Sequence, residues 1–239
     1  ETGRSRGSPQ HPPENTWRRM KLKVCGMKHN TGDIARLGPD YLGFILWKGS
    51  PRYTGDSLPE TEADGPARVG VFVDAPLREV LEYSRKGQLG LLQLHGSESP
   101  EYCQKLRVLL NKAREHAPKI IKAFAPGKDF DFRILEAYLP LCDYFLFDSR
   151  GPMPGGNGRT FDWTVLEKYP YEKPYFLSGG IGPGSTTALQ DFARSPAARR
   201  CYAIDVNSKF ETRPGEKDPQ ALKTFMSAAF WSAIKPSDL

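Results

Sequence analysis

Five places in the chain put a residue capable of chemistry at or just beyond a short apolar run: Cys25, Arg52, Asp148, Gly179-Gly180 and Asp205. The first is the most informative. In Lys21-Leu-Lys-Val-Cys-Gly-Met27, Leu22 and Val24 alternate with lysines, so the run reads as a strand that ends at Cys25. Gly26 lets the backbone turn sharply and leaves the thiol uncovered. A thiol in that position can serve as a base or a nucleophile. An inert core cysteine is the competing reading, because free cysteine is among the most buried residue types.

Three of the others imply anion recognition and proton transfer. Ser178-Gly-Gly-Ile-Gly-Pro-Gly184 lies between a β-rich run and a helical pattern, where glycines let backbone N–H groups approach a phosphate and a helix N-terminus adds a favourable dipole. A ligand-free turn is the alternative. Gly155-Gly-Asn-Gly158 is a second glycine-rich loop that could cover the same side. Arg52 follows Ser50-Pro51, and its planar guanidinium suits bidentate capture of a carboxylate, although a plain surface arginine would look the same. Asp148 ends Tyr144-Phe-Leu-Phe147, where a buried carboxyl group could donate a proton or, alternatively, cap the following loop. His95, between Leu94 and Gly96, either lines a pocket or is structural.

One architecture would bring these residues together. Strands are expected at 21–25, 41–46, 68–73, 90–94, 119–123, 144–147, 175–177 and 201–206, with helical patterns between them at 76–84, 99–113, 185–193 and 219–230. Strand–helix alternation implies parallel strands with right-handed crossovers. Eight units imply an α/β fold of the closed (β/α)8 or TIM-barrel type, of the phosphate-binding kind, with a doubly wound open sheet as the alternative. In such a barrel the loops after the strands gather at one face, which collects Cys25, Arg52, His95, Asp148, Gly179, Gly180, Asp205, Asn207 and Ser208 into one mouth. The segment 53–66 holds Gly55, Pro59, Gly65 and Pro66, so the helix after the second strand should be short or missing.

Bulk properties agree with one catalytic domain over 21–239 behind a disordered basic tail over 1–20. The chain has 239 residues and a net charge of +6; residues 1–23 hold six Lys/Arg against Glu1 and Glu14, so +4 of that charge lies in this N-terminal stretch. Without interleaved aromatics such a tail reads as solvated, and no nucleic-acid partner is expected. No apolar run reaches the roughly 18–20 residues of a membrane helix, and no secretory signal is expected in the polar, Pro-rich opening residues. The four cysteines lack C-x-x-C spacing and the histidines form no H-E-x-x-H pair, so no metal site is expected and a reducing, cytoplasmic setting is.

The motifs also occur in a familiar order. Lys23-Val-Cys-Gly26, Ser50-Pro-Arg52, Val69-Gly-Val-Phe-Val73 and Gln93-Leu-His-Gly96 are followed by Phe147-Asp-Ser149 and Gly155–Trp163, then by Ser178-Gly-Gly-Ile181, Asp205-Val-Asn-Ser208 and Pro214-Gly-Glu-Lys-Asp218. The ordered set, over about residues 21–230, resembles the phosphoribosylanthranilate isomerase family of tryptophan biosynthesis. The resemblance implies an Amadori rearrangement of a small phosphosugar–anthranilate, with no cofactor and no metal. It implies Cys25 as general base, Asp148 as general acid, and Arg52 on the anthranilate carboxylate. His95 and Asp205 would face the substrate, with phosphate at Gly179, Gly180, Asn207 and Ser208. A homodimer is possible and no membrane partner is expected. A thiol of ordinary pKa about 8.5 is a modest base at neutral pH, so some lowering at Cys25 is expected. Three segments depart from the family pattern: Lys209 where glycine is usual, the helix-poor 53–66, and 194–200, which reads as an added loop. The competing functions are another phosphate-binding barrel isomerase or epimerase, and a non-catalytic barrel used for binding. The first would favour a metal site or paired aspartates, whereas the first strand offers Cys25.

Overall fold

Every β-rich run expected from the sequence forms a strand in the computed structural model, which describes residues 20–62, 64–113, 117–149 and 161–228. The strands are β1 (Lys21–Cys25), β2 (Tyr41–Ile45), β3 (Ala67–Phe72), β4 (Leu91–Leu94), β5 (Lys119–Phe124), β6 (Tyr144–Phe147), β7 (Tyr175–Leu177) and β8 (Cys201–Val206). Each pairs in parallel with the next, and β8 returns to pair with β1, which makes a closed barrel and rules out the open sheet. The tail over 1–19, the glycine-rich loop at 155–158 and the end of the last helical stretch at 229–230 lie outside the described residues. Met20 is buried in the core, so the packed fold already includes that residue.

Side chains alternate across each strand, so every strand serves two cores. Leu22, Val24, Leu42, Phe44, Phe145 and Phe147 point outward into the layer shared with the helices. Tyr41, Val69, Leu91, Ile121, Tyr144 and Phe176 fill the barrel interior. Nearer the C-terminal ends of the strands, Cys25, Ile45 and Val71 form a small cluster of their own below the mouth. Burial on both faces explains why the strands read as nearly continuous apolar runs.

The outer layer is less regular than an ideal barrel. The α-helices are α1 (Thr31–Ala35), α2 (Leu77–Lys86), α3 (Pro100–Ala113), α4 (Thr186–Arg194) and α5 (Pro219–Ser227). Asp218 caps α5 by accepting from the Gln220 and Ala221 N–H groups at 2.9 and 3.0 Å. On α3, Cys103, Leu106 and Leu110 form the buried stripe, while Leu109 falls beside it and is exposed. As expected, no helix follows β2 among the described residues; 3₁₀ turns at Phe132–Tyr138 and Trp163–Lys168 stand in for helices after β5 and β6.

The stretch 194–200, expected as an added loop, is packed: Pro196–Arg200 forms a 3₁₀ turn with Ala197 and Ala198 buried. The wholly buried Tyr175 on β7 donates its hydroxyl to the Ala197 carbonyl at 2.5 Å, tying the turn to the barrel. Tyr175→Phe would strand that carbonyl away from water, at a cost of about 1–3 kcal/mol. Urea unfolding should therefore show a lower midpoint with an unchanged slope; an unchanged midpoint would mean that the bond contributes nothing.

Candidate active site

Because Leu22 and Val24 face the helices, Lys23 and Cys25 both face into the barrel. Lys23 is fully buried and donates to Asp205 Oδ1 at 3.0 Å, directly across the β1–β8 join where the two residues are partners in register. Gly43 is the partner of Cys25 on β2. A Cβ at Gly43 would come within 2.8 Å of Cys25 Sγ and 3.1 Å of Lys23 Cε, so the missing side chain makes room for thiol and lysine together.

Asp148 leaves the end of β6 on another wall. Its Oδ1 accepts from the Ser149 N–H at 2.7 Å, and its Oδ2 stands 3.4 Å from His95 Nε2. Gln93, one inward position earlier on β4, meets His95 Nδ1 at 2.8 Å through its amide nitrogen. With Nδ1 accepting, the neutral ring carries its proton on Nε2, towards Asp148. The loop that holds His95 is fixed from beneath. Buried Glu98 accepts from the Asp74 and Gly96 N–H groups at 2.9 and 3.0 Å and pairs with buried Lys122 at 3.2 Å.

The rim is made of backbone. Gly179 and Gly180 follow β7 with φ of +93° and +67°, a left-handed pair that glycine adopts without strain. A Cβ at Gly179 would lie 2.8 Å from the Ser149 nitrogen, so this loop passes closely over the end of β6. A 3₁₀ turn at Pro183–Ser185 then leads into α4, with the Gly182 N–H held by Ser185 Oγ at 3.0 Å. Beyond β8, the side chain of Asn207 is held by Lys217 Nζ at 2.8 Å.

A single cavity is lined by Cys25 and Asp205, by His95 and Asp148, and by Gly179, Gly180, Asn207 and Ser208. Arg52 is the one expected site residue that does not line it. Its Nε and Nη2 bind the carboxylate of Glu211 at 2.8–3.0 Å, so the carboxylate it holds here belongs to the protein. It remains next to the mouth: a Cβ at Gly26 would lie 2.8 Å from Arg52 Cδ and 2.5 Å from Asn207 Oδ1. Lys23, Gln93, Glu211 and Lys217 were not among the expected residues. Lys23 was detectable, since a lysine two positions before Cys25 in a strand must share its face.

The thiol corrects another expectation. Burial pushes Cys25 above its ordinary value; Lys23 and Lys217 pull it down, Asp205 opposes them, and burial prevails. Burial works against the charge of Lys23 as well, yet Asp205 and Cys25 together hold the ammonium above its usual range. Glu211 stands below the usual carboxylate range: burial would raise it, but the Arg52 hydrogen bonds and Lys217 outweigh that.

A family model described as N-(5'phosphoribosyl)anthranilate (PRA) isomerase matches residues 22–228. The N-(5'-phosphoribosyl)anthranilate isomerase of Parabacteroides distasonis is 38% identical over 223 residues, which cover 90% of this chain and 96% of that protein. Among solved structures, phosphoribosyl anthranilate isomerase from Thermus thermophilus is similar with a TM-score of 0.69 at 26% identity, over 90% of this chain and 100% of the other. A phosphoribosyl anthranilate isomerase in complex with reduced 1-(o-carboxyphenylamino)-1-deoxyribulose 5-phosphate is similar with a TM-score of 0.63 at 27% identity, over 88% and 98%.

Alkylation tests the electrostatics without reference to any reaction. Iodoacetamide consumes the thiolate, so labelling of Cys25, followed by peptide mass, should have a pH midpoint above that of a free cysteine. Lys217→Met removes a charge that lowers the thiol and should move the midpoint further up. A midpoint at or below that of free cysteine would contradict the dominance of burial.

Proposed function

Because the chain belongs to the N-(5'-phosphoribosyl)anthranilate isomerase family, we propose that Cys25 and Asp148 are the base and acid of its aldose–ketose rearrangement. The enzyme converts N-(5-phosphoribosyl)anthranilate into 1-(2-carboxyphenylamino)-1-deoxyribulose 5-phosphate, a step of tryptophan biosynthesis. Asp148 donates a proton to the ribose ring oxygen as the C1′–O bond breaks, leaving a protonated imine. Cys25, as thiolate, takes the C2′ hydrogen as a proton. The C–H electrons form the C1′–C2′ double bond and neutralise the imine nitrogen, giving an enolamine. Loss of the 2′-hydroxyl proton and gain of a proton at C1′ complete the ketone.

The observation that carries this assignment is the single cavity that both the thiol and the carboxyl group line, with the paired left-handed glycines at its rim. A raised thiol pKa reduces the population of thiolate but makes each thiolate a stronger base, and the positive imine acidifies the C2′ hydrogen. Lys23 supplies a fixed cation beside the thiolate before it takes the proton. His95, with Nε2 at 3.4 Å from Asp148 Oδ2, faces the sugar together with Asp205. The phosphate is assigned to Gly179, Gly180, Asn207 and Ser208, and Lys209 brings a cation to the same rim with its stem packed on Gly182. Arg52 is assigned to the anthranilate carboxylate.

Among the described residues no helix is long and apolar enough to cross a membrane. The four cysteines are free thiols, which fits the cytoplasmic setting included in the proposal.

Steady-state kinetics on freshly made phosphoribosylanthranilate, followed by its fluorescence decay, test the two roles. Cys25→Ser and Asp148→Asn should each lower kcat and kcat/KM together by about 10²–10⁴-fold, the usual contribution of a proton-transfer group. Circular dichroism would confirm folding. Near-normal kcat in folded Cys25→Ser would eliminate the thiol as base.

A further inference from the structure

The motif Pro214-Gly-Glu-Lys-Asp218 has no part in the roles assigned above, yet it supports a dense set of buried contacts. After β8 the chain forms a small antiparallel hairpin of β9 (Glu211–Arg213) and β10 (Glu216–Lys217), with Glu211 opposite Lys217. The hairpin folds back onto the loop after β1. Gly215, at φ +84°, accepts from the His29 N–H at 3.0 Å, and Asn30 exchanges two hydrogen bonds with the Lys217 backbone at 2.8 and 3.0 Å. A Cβ at Gly215 would lie 2.8 Å from Lys28 Cβ, so the two loops are in close contact.

This clamp fixes Glu211. Its Oε1 accepts from Lys217 Nζ at 2.6 Å and from the Gly215 N–H at 3.1 Å, and both carboxylate oxygens accept from Arg52. Glu211 and Lys217 are almost wholly buried and Arg52 is 13% exposed. A guanidinium has two edges able to take a carboxylate: Nε with one terminal nitrogen, or the two terminal nitrogens. Glu211 occupies the first. Nη1 makes no hydrogen bond with the described residues, so among them the second edge is unused. Two cations share one carboxylate here, and the buried cluster carries one positive charge in excess beside the mouth.

We infer that Glu211 is a positioning residue for substrate recognition: it grips Arg52 by its Nε edge and thereby presents the Nη1–Nη2 edge to the substrate carboxylate. The inference rests on the reading of Arg52 as the carboxylate anchor. The arriving carboxylate neutralises the excess charge without displacing Glu211, so the arginine is already ordered when the substrate enters. In Glu211→Gln the single carbonyl oxygen cannot serve both Lys217 and Arg52, and an amide N–H would face the guanidinium donors.

The test is a double-mutant cycle over Glu211→Gln and Arg52→Ala, reading KM, kcat and competitive inhibition by benzoate and, separately, by inorganic phosphate. Glu211→Gln should raise KM and the benzoate inhibition constant about tenfold, the size of a typical coupling between residues in contact, with kcat changed less than about twofold. Phosphate inhibition should change less than benzoate inhibition. In the Arg52→Ala background Glu211→Gln should add nothing, because its effect runs through the guanidinium. An equal effect in both backgrounds, or a loss confined to kcat, would overturn the positioning role. If Arg52→Ala leaves benzoate binding unchanged, the anchor reading itself fails; if only Glu211→Gln is silent, the anchor stands and this inference falls. Should Glu211→Gln fold poorly, Glu211→Asp keeps the charge but draws it back by one methylene, and an intermediate benzoate constant is expected. Wild-type binding in folded Glu211→Asp would show that the grip has no bearing on recognition.

Discussion

Closing a parallel barrel brings its first and last strands side by side, and here that join holds Lys23 against Asp205 with 3.0 Å between the charged atoms and almost no access to water. Desolvating two ions costs several kcal/mol each, and their attraction returns that only where the geometry is good. A pair of apolar side chains could close the barrel as stably. What they could not provide is a fixed ammonium beside Cys25 Sγ, in a space that Gly43 leaves open. The join therefore sets both the shape of the barrel and the electrostatic surroundings of its most reactive group.

A second charged cluster lies above the first and is organised differently. The Lys23–Asp205 pair is internally balanced, whereas Arg52, Glu211 and Lys217 hold two positive charges against one negative. Gly26, immediately after the thiol, packs against the Arg52 stem and against Asn207, which Lys217 holds, so the second cluster touches the residue next to Cys25. The mouth thus has a neutral floor suited to moving protons and a positive rim suited to anions. That division fits a substrate with an acid group at each end and its reacting carbons between them.

How much of this could be read from the sequence depended on whether local pattern or distant packing decides each feature. The strands were legible to within a residue, because burial on both faces makes them apolar at almost every position. The rule that strand-end loops converge then brought Cys25, His95, Asp148, Gly179, Gly180, Asp205, Asn207 and Ser208 to one cavity. Glu211 and Lys217 were not legible, because a hairpin returning onto the loop after β1 leaves no periodic trace. The direction of the Cys25 pKa was misjudged for a related reason: nearby cations could be anticipated, but the depth of burial that outweighs them could not. The 3₁₀ turns after β5 and β6, and the packed turn before β8, show the same limit in the outer layer, where short connections adapt to the barrel they cover.

The contacts that make the site also join the two ends of the described chain. Lys23 and Asp205 are 182 residues apart in sequence, Arg52 and Glu211 159 apart, and Asn30 and Lys217 187 apart. Pairings this remote must meet the entropy of loop closure before they gain anything. On a ribosome, the segment from Lys21 to Arg52 emerges long before its partners are synthesised. Until Lys217 is available, the thiol has neither the completed barrel around it nor the second cationic cluster above it. A nascent or half-built barrel consequently holds Cys25 as an ordinary cysteine, and the polarity that distinguishes it arises only when the last strand and its hairpin close the ring.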